Sequence, residues 1–423
     1  MFQLLLRCCL RNLTVAGILC GLPTSLPVTT VVSGGGDGTI LSEIFSILSF
    51  CTSSFNKDIQ TAETNGLKCK APNPAVLYSC LIIATVAQCL KATGRNSALF
   101  MLTTSQKKQV SRLMVLAHYF ALDDRTKTYF QPHSASAMLA LASILSLETG
   151  SSVESSVCEI AVPLIPRTST ICECLKTSSQ VENEVGTMAA NGVLSYWHGL
   201  KDGFVGSLES RLRWGGPLAV QQLCASGLPL ILIDLLAKNP SKDYSQRMDS
   251  TTKDQVGLSP TGVVWAVSSI CQCLSGGVAT FRQVMLSSEH IKLMSDLIGD
   301  VHLKLVKCWV GPGGGRDGVR DMVHAVIDLL AFPFVAVQNA PPTLPSASAS
   351  VSSGFVLNMG SPGGRVGMED QDMVKIIEED LGKYIKILLE VRSLSSSFCS
   401  FVFPLPWWED GNMVQIRLKF CFH

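Results

Sequence analysis

The chain has 423 residues, of which 47% are hydrophobic and only 16% charged, and its 34 basic and 33 acidic side chains leave a net charge of +1. Apolar surface on that scale excludes a solvated, disordered chain, and the balanced charge argues against a dedicated nucleic-acid binder, whose affinity rests on clustered Lys and Arg. Aromatics make up 7%, so the core consists mostly of Leu, Val, Ile and Ala, which suits helix-on-helix packing; the length fits two or three domains or one long repeat array.

Residues 1–20 read as an unpatterned leader. Arg7 and Arg11 ahead of the apolar Leu13–Leu22 have the outline of a secretory signal, but the arginines interrupt it and Cys20-Gly21-Leu22 is a poor cleavage site. A secreted or membrane-peripheral helical protein is the alternative this segment leaves open. Residues 21–206 read as a helical repeat region. Pro23 and Pro27 make the first stretch a loop, and Ser33–Gly38 (SGGGDG) is turn-rich. Ile40, Ile44, Ile47 and Leu48 then recur at helical spacing over Thr39–Phe50. Asn73-Pro74 opens a helix to about Ala92, with proline in the first turn. Further helices are predicted over Gln106–Ala121, Ser134–Leu147, Thr168–Leu175 and Asn183–His198. Sustained period-two alternation is missing, which argues against strands.

Residues 207–340 hold the clearest unit. Pro217–Cys224, Gly227–Ala237 and Thr261–Leu274 read as three consecutive helices, the third capped by Ser259-Pro260 and ended by Gly276-Gly277. The polar stretch 238–257 separates the second from the third. Phe281–Met285, His290–Ile298, Val301–Trp309 and Val319–Phe332 follow as helices. Residues 341–368 are rich in Pro, Ser and Gly and read as a linker. Over 369–391 an amphipathic helix lines up Val374, Ile377, Leu381, Tyr384 and Leu388, and this face requires a partner elsewhere in the chain. Residues 392–423 have no helical period and read as an atypical, disordered tail. The longest apolar runs, Ala75–Leu90, Gly227–Ala237 and Ala325–Ala340, fall short of the ~20 residues of a membrane span and read as core helices, so no transmembrane segment is expected.

Sequence chemistry points away from catalysis. The glycine runs Gly34–Gly38 and Gly311–Gly315 are not followed by Lys-Ser or Lys-Thr, as a phosphate loop requires. There is no His-Arg-Asp, Asp-Phe-Gly or Ala-Pro-Glu, so the groups that position phosphate and magnesium in a protein kinase are missing. Neither Gly-x-Ser-x-Gly nor His-Glu-x-x-His occurs, and the seven histidines are dispersed. None of the 16 cysteines forms a Cys-x-x-Cys, so a zinc site is not expected and they read as small buried hydrophobes in a reducing compartment. These readings give no catalytic, cofactor-binding or metal-binding residue.

Two resemblances carry the functional expectation. Gly227-Leu228-Pro229-Leu230-Ile231-Leu232-Ile233-Asp234-Leu235-Leu236 resembles the second helix of an armadillo repeat, and Val264-Trp265-Ala266-Val267-Ser268-Ser269-Ile270 resembles the third. That likeness implies an all-α, armadillo/HEAT-like solenoid whose groove is lined by Trp265, Ser269 and Gln272 as partner-binding residues. More broadly, Cys20–Ile47, Val256–Gly277, Asp300–Ala340 and Gly354–Val391 resemble the C-terminal regulatory half of plant Fused-type serine/threonine kinases. This resemblance implies a non-catalytic scaffold with protein partners, a phragmoplast kinesin among them, acting in cytokinesis. It also implies a cytoplasmic location at the phragmoplast midline. ATP and Mg would enter only with the kinase domain, and the alternative is a fragment of an active kinase lacking that domain.

Overall fold

The computed structural model describes residues 1–19, 40–53, 74–92, 132–146, 200–214, 216–238, 258–309, 313–338 and 368–394. Among them every regular element is helical. The first helices are α1 (Phe2–Arg11), α2 (Leu13–Leu19), α3 (Ile40–Ser53), α4 (Pro74–Ala92) and α5 (Pro132–Leu145). Then come α6 (Leu200–Trp214), α7 (Gly216–Ala225), α8 (Leu228–Lys238) and α9 (Pro260–Cys273), the last followed by a 3-10 turn, Leu274–Gly276. The set closes with α10 (Val278–Met285), α11 (Ser288–Leu297), α12 (Asp300–Cys308), α13 (Gly315–Gln338) and α14 (Met368–Leu394).

Five long helices form a relay in which α4 packs on α5, α5 on α6, α6 on α9 and α9 on α13. Helices α1, α2 and α3 all rest on α4 at one end, and α14 covers α13 at the other. Each layer buries its apolar face chiefly against its neighbours, which is how an α-solenoid distributes its stability. Helix α4 shows the consequence in sequence: Cys80, Ile82, Ile83, Val86 and Ala87 are fully buried, so it is apolar around its whole circumference. Each of the Ile and Val side chains contributes about 1.5–3 kcal/mol relative to exposure.

Local signals set the ends. The Ser259 side chain accepts from Gly262 N at 3.3 Å and Pro260 stands in the first turn of α9, as predicted. Gly227 adopts φ +77°, a left-handed conformation, at the corner between α7 and α8.

Three expectations need correction. The leader is not unpatterned: α1 and α2 bury Leu6, Cys9, Ala16 and Leu19 against α4, with Arg7 and Arg11 belonging to the same turn-by-turn helix. The division at 206/207 falls inside α6, which packs on both α5 and α9, so no boundary exists there. The last helix runs to Leu394, three residues into the stretch read as tail. The helices read over Gln106–Ala121, Thr168–Leu175 and Asn183–His198, most of the 341–368 linker and residues 395–423 lie outside the described residues.

By length and composition, α13 is the one helix among the described residues able to cross a membrane. Here it is the layer between α9 and α14, with α11 and α12 also against it. Pro333 lies inside it.

Candidate functional site

The residues singled out from the sequence meet where α6 packs on α9. Trp265 is only 3% exposed, and its ring lies over Gly206: a Cβ there would come within 2.7 Å of Trp265 Cε3 and 2.8 Å of Ala142 Cβ. Trp265 thus fills the space where α5, α6 and α9 converge, and glycine at 206 lets the helices approach. Ser269 is fully buried and donates its hydroxyl to the Trp265 carbonyl at 2.8 Å. The assignment of Trp265 and Ser269 to a partner-facing groove is therefore corrected: a neighbouring helix already occupies the surface they present. Gln272 alone is partly exposed. Its Nε2 donates to Glu209 Oε1 and to Ser268 Oγ, each at 3.2 Å.

Around this seam two carboxylates are buried. Glu209 Oε1 also accepts from Arg213 Nη2 and, at 3.3 Å, from Ser268 Oγ, while Glu209 Oε2 has no hydrogen-bond partner among the described residues. Asp202 is 2% exposed, accepts from Ser259 N at 3.1 Å and from the Ser259 hydroxyl, and so braces the residue that caps α9. Burial pushes its carboxyl up to about 7, against the opposing pull of the Ser259 donors. A shift of that size often marks an acid–base catalyst. Here the physical cause is different: Asp202 is sealed under the cap, and a Cβ on Gly262 would fall 1.9 Å from its Oδ1. Among the described residues the partners of Ser259 are Asp202 and Gly262 N, and no histidine bonds to it. Among the described residues no three His, Cys, Asp or Glu side chains converge as a metal-binding group.

A second seam seats α14. Ile377, Tyr384, Leu388 and Val391 are buried, and Tyr384 Oη donates to the Leu330 carbonyl at 2.7 Å. Pro333 lies three residues further along α13, where the donor it lacks would have served Leu329, so the Tyr384 bond is an addition to the ladder at Leu330. Beside them the buried Asp380 accepts from Arg282 Nε of α10 at 2.6 Å and from Lys383 Nζ at 2.7 Å, both cations reaching in from the surface. Those bonds, Lys383 first, hold its carboxyl below the usual carboxylate range. The partner that the amphipathic pattern required is thus α10, α11 and α13 together.

No protein-family model and no solved structure matches the chain. One relative does: over 389 residues, 92% of the chain, it is 59% identical to "Serine/threonine-protein kinase TIO" of Arabidopsis thaliana. The chain is a homologue of part of TIO. It spans 29% of the length of TIO. Because it holds none of the motifs of a kinase catalytic domain, the shared stretch is a non-kinase part of TIO.

Proposed function

We propose that this chain is a non-catalytic, armadillo-like scaffold for protein partners, the regulatory region of a Fused-type kinase acting in plant cytokinesis. One observation carries the reading: a stretch 59% identical to TIO contains no phosphoryl-transfer motif. The stacked helices support it, because such a stack offers an extended surface to partners. The chain works in the cytoplasm at the phragmoplast midline and docks a kinesin there, needing no cofactor of its own. Since Trp265 and Ser269 are buried, the kinesin uses another face.

The test immobilises the purified chain and exposes it to extract from plant cells synchronised in cytokinesis, followed by pairwise binding of whichever kinesin is retained. Recovery of a phragmoplast kinesin with Kd in the micromolar range or below supports docking; its absence from the bound fraction overturns it. Incubation with labelled ATP and a general kinase substrate should transfer no phosphate above a no-protein blank.

A second reading, in which the native polypeptide also carries a kinase domain, is favoured by the 29% share of TIO that the chain spans. An immunoblot of dividing tissue with antibody to residues 207–340 separates the two. One band far above the mass of this chain supports the longer polypeptide, and a band at the chain's own mass supports a free-standing scaffold.

A further inference from the structure

Helices α7 and α9 both finish beside the same 3-10 turn, and each brings a cysteine to it. Cys224 Sγ lies 3.4 Å from the Cys273 carbonyl oxygen. Cys224 is half-buried and Cys273 fully buried. The turn presses on the sulfur: a Cβ on Gly276 would come within 2.5 Å of Cys224 Sγ, so only glycine leaves the sulfur where it is. The side chains of Cys273 and Thr280 are hydrogen-bonding neighbours of that sulfur. They bring the Cys224 thiol down to about 7, the Cys273 contact first, with partial burial acting against them. Other thiols in the molecule go the opposite way: burial pushes Cys80 and Cys271 up to about 12 and Cys9 to about 11. A thiolate that is accessible and has a second sulfur at hand is the arrangement that reacts with peroxide and is then resolved.

We propose that Cys224 and Cys273 are a hydroperoxide-responsive pair that closes to a disulfide joining the end of α7 to the end of α9. In the first step the Cys224 thiolate attacks one oxygen of hydrogen peroxide. The S–O bond forms as the O–O bond breaks, and the departing hydroxide takes a proton to become water, leaving a sulfenic acid. In the second, the Cys273 sulfur attacks the Cys224 sulfur. The S–S bond forms, the S–O bond breaks, and the hydroxyl leaves as water with the Cys273 proton. Overall two thiols lose two hydrogens and one peroxide is reduced to two waters. A thiol reductant reverses the closure by exchange.

Full-length chain treated with hydrogen peroxide at pH 7.5, then blocked with N-ethylmaleimide, digested and mapped by mass spectrometry, is the test. The expected first product is a peptide pair joined through Cys224 and Cys273, lost on reduction. In Cys273→Ser the link disappears and dimedone labels Cys224 instead. Iodoacetamide should alkylate Cys224 at pH 7 about tenfold faster in the folded chain than in the denaturant-unfolded chain, following thiolate fraction. Cys224 remaining reduced while other cysteines oxidise overturns the proposal. So does a first disulfide between other positions, or alkylation no faster than in the unfolded chain. If Cys273→Ser does not fold, judged by circular dichroism, the peptide map and alkylation rate of the natural chain decide alone.

Discussion

The two seams that hold the relay together are built on opposite principles. At α6–α9 the helices meet through glycine, Trp265, two buried carboxylates and three serine hydroxyls. At α13–α14 a regular apolar stripe lies on its neighbours, with one buried hydrogen bond and a single buried carboxylate, Asp380, held by the outward-facing Arg282 and Lys383. The first seam is specific because Asp202 and Glu209 Oε1 are matched to particular donors and Gly206 and Gly262 leave no room for a Cβ. The second is adaptable, since volume-conserving apolar exchange is tolerated well. A buried polar seam fixes register at a cost in stability, whereas an apolar stripe adds stability with little demand on register.

Substitutions can break this contrast, and the largest effect is expected at the polar seam. Trp265→Ala leaves a cavity above Gly206 and should cost about 3–5 kcal/mol, read as a lower urea midpoint by circular dichroism. A loss below about 1 kcal/mol would mean that α5, α6 and α9 do not depend on that ring.

The next effect is pH-dependent. Asp202 is held up to about 7 in the folded chain, above its ordinary value near 3.9 when unfolded. The folded state then binds the extra proton, so stability falls as pH rises from about 4 to about 7 and levels off above. The change is on the order of a few kcal/mol. Urea midpoints at pH 5 and pH 8 should differ in that sense, and Asp202→Asn, which keeps an acceptor for Ser259 N, should flatten the difference.

At the apolar seam the effects are smaller and local. Tyr384→Phe removes the buried hydrogen bond to the Leu330 carbonyl and should cost about 1 kcal/mol. Hydrogen exchange should then quicken in α14 while α9 is unchanged; equal acceleration in both would show one cooperative unit. Smallest is Arg282→Ala. Its side chain is half exposed and the buried Asp380 keeps Lys383, so the loss should stay near about 1 kcal/mol and shrink in high salt.

The seams also differ in how far they can be read from sequence. The stripe of α14 was legible because Ile377, Tyr384 and Leu388 recur at helical spacing on a polar background, and all three are buried. The capped start of α9 was equally plain. Helix α6 escaped because Asp202 through Ser210 are all buried, so its sequence, LKDGFVGSLESRLRW, has no polar face to contrast with an apolar one. Gly203 and Gly206 lower its helix propensity further. For Trp265 the repeat likeness gave the right helix and the wrong exposure. A useful signal was Gly206 itself: a small residue in a neighbouring helix is where a large ring finds room. The all-helical class was legible throughout, whereas pairings such as Glu209 with Gln272 depend on contacts that local pattern does not encode.

The ion pair at the rim of α14 joins residues 98 positions apart. Arg282 therefore leaves the ribosome about 5–20 s before Asp380 at ordinary elongation rates. For the last part of that interval, once Gln338 has followed, α10, α11 and α13 stand complete with their apolar seat bare. Nascent chains on one messenger are close neighbours during those seconds, and an α14 released from one can settle on the open seat of the next. Speed of translation thereby becomes a determinant of whether the protein closes on itself or exchanges its last helix with a sibling.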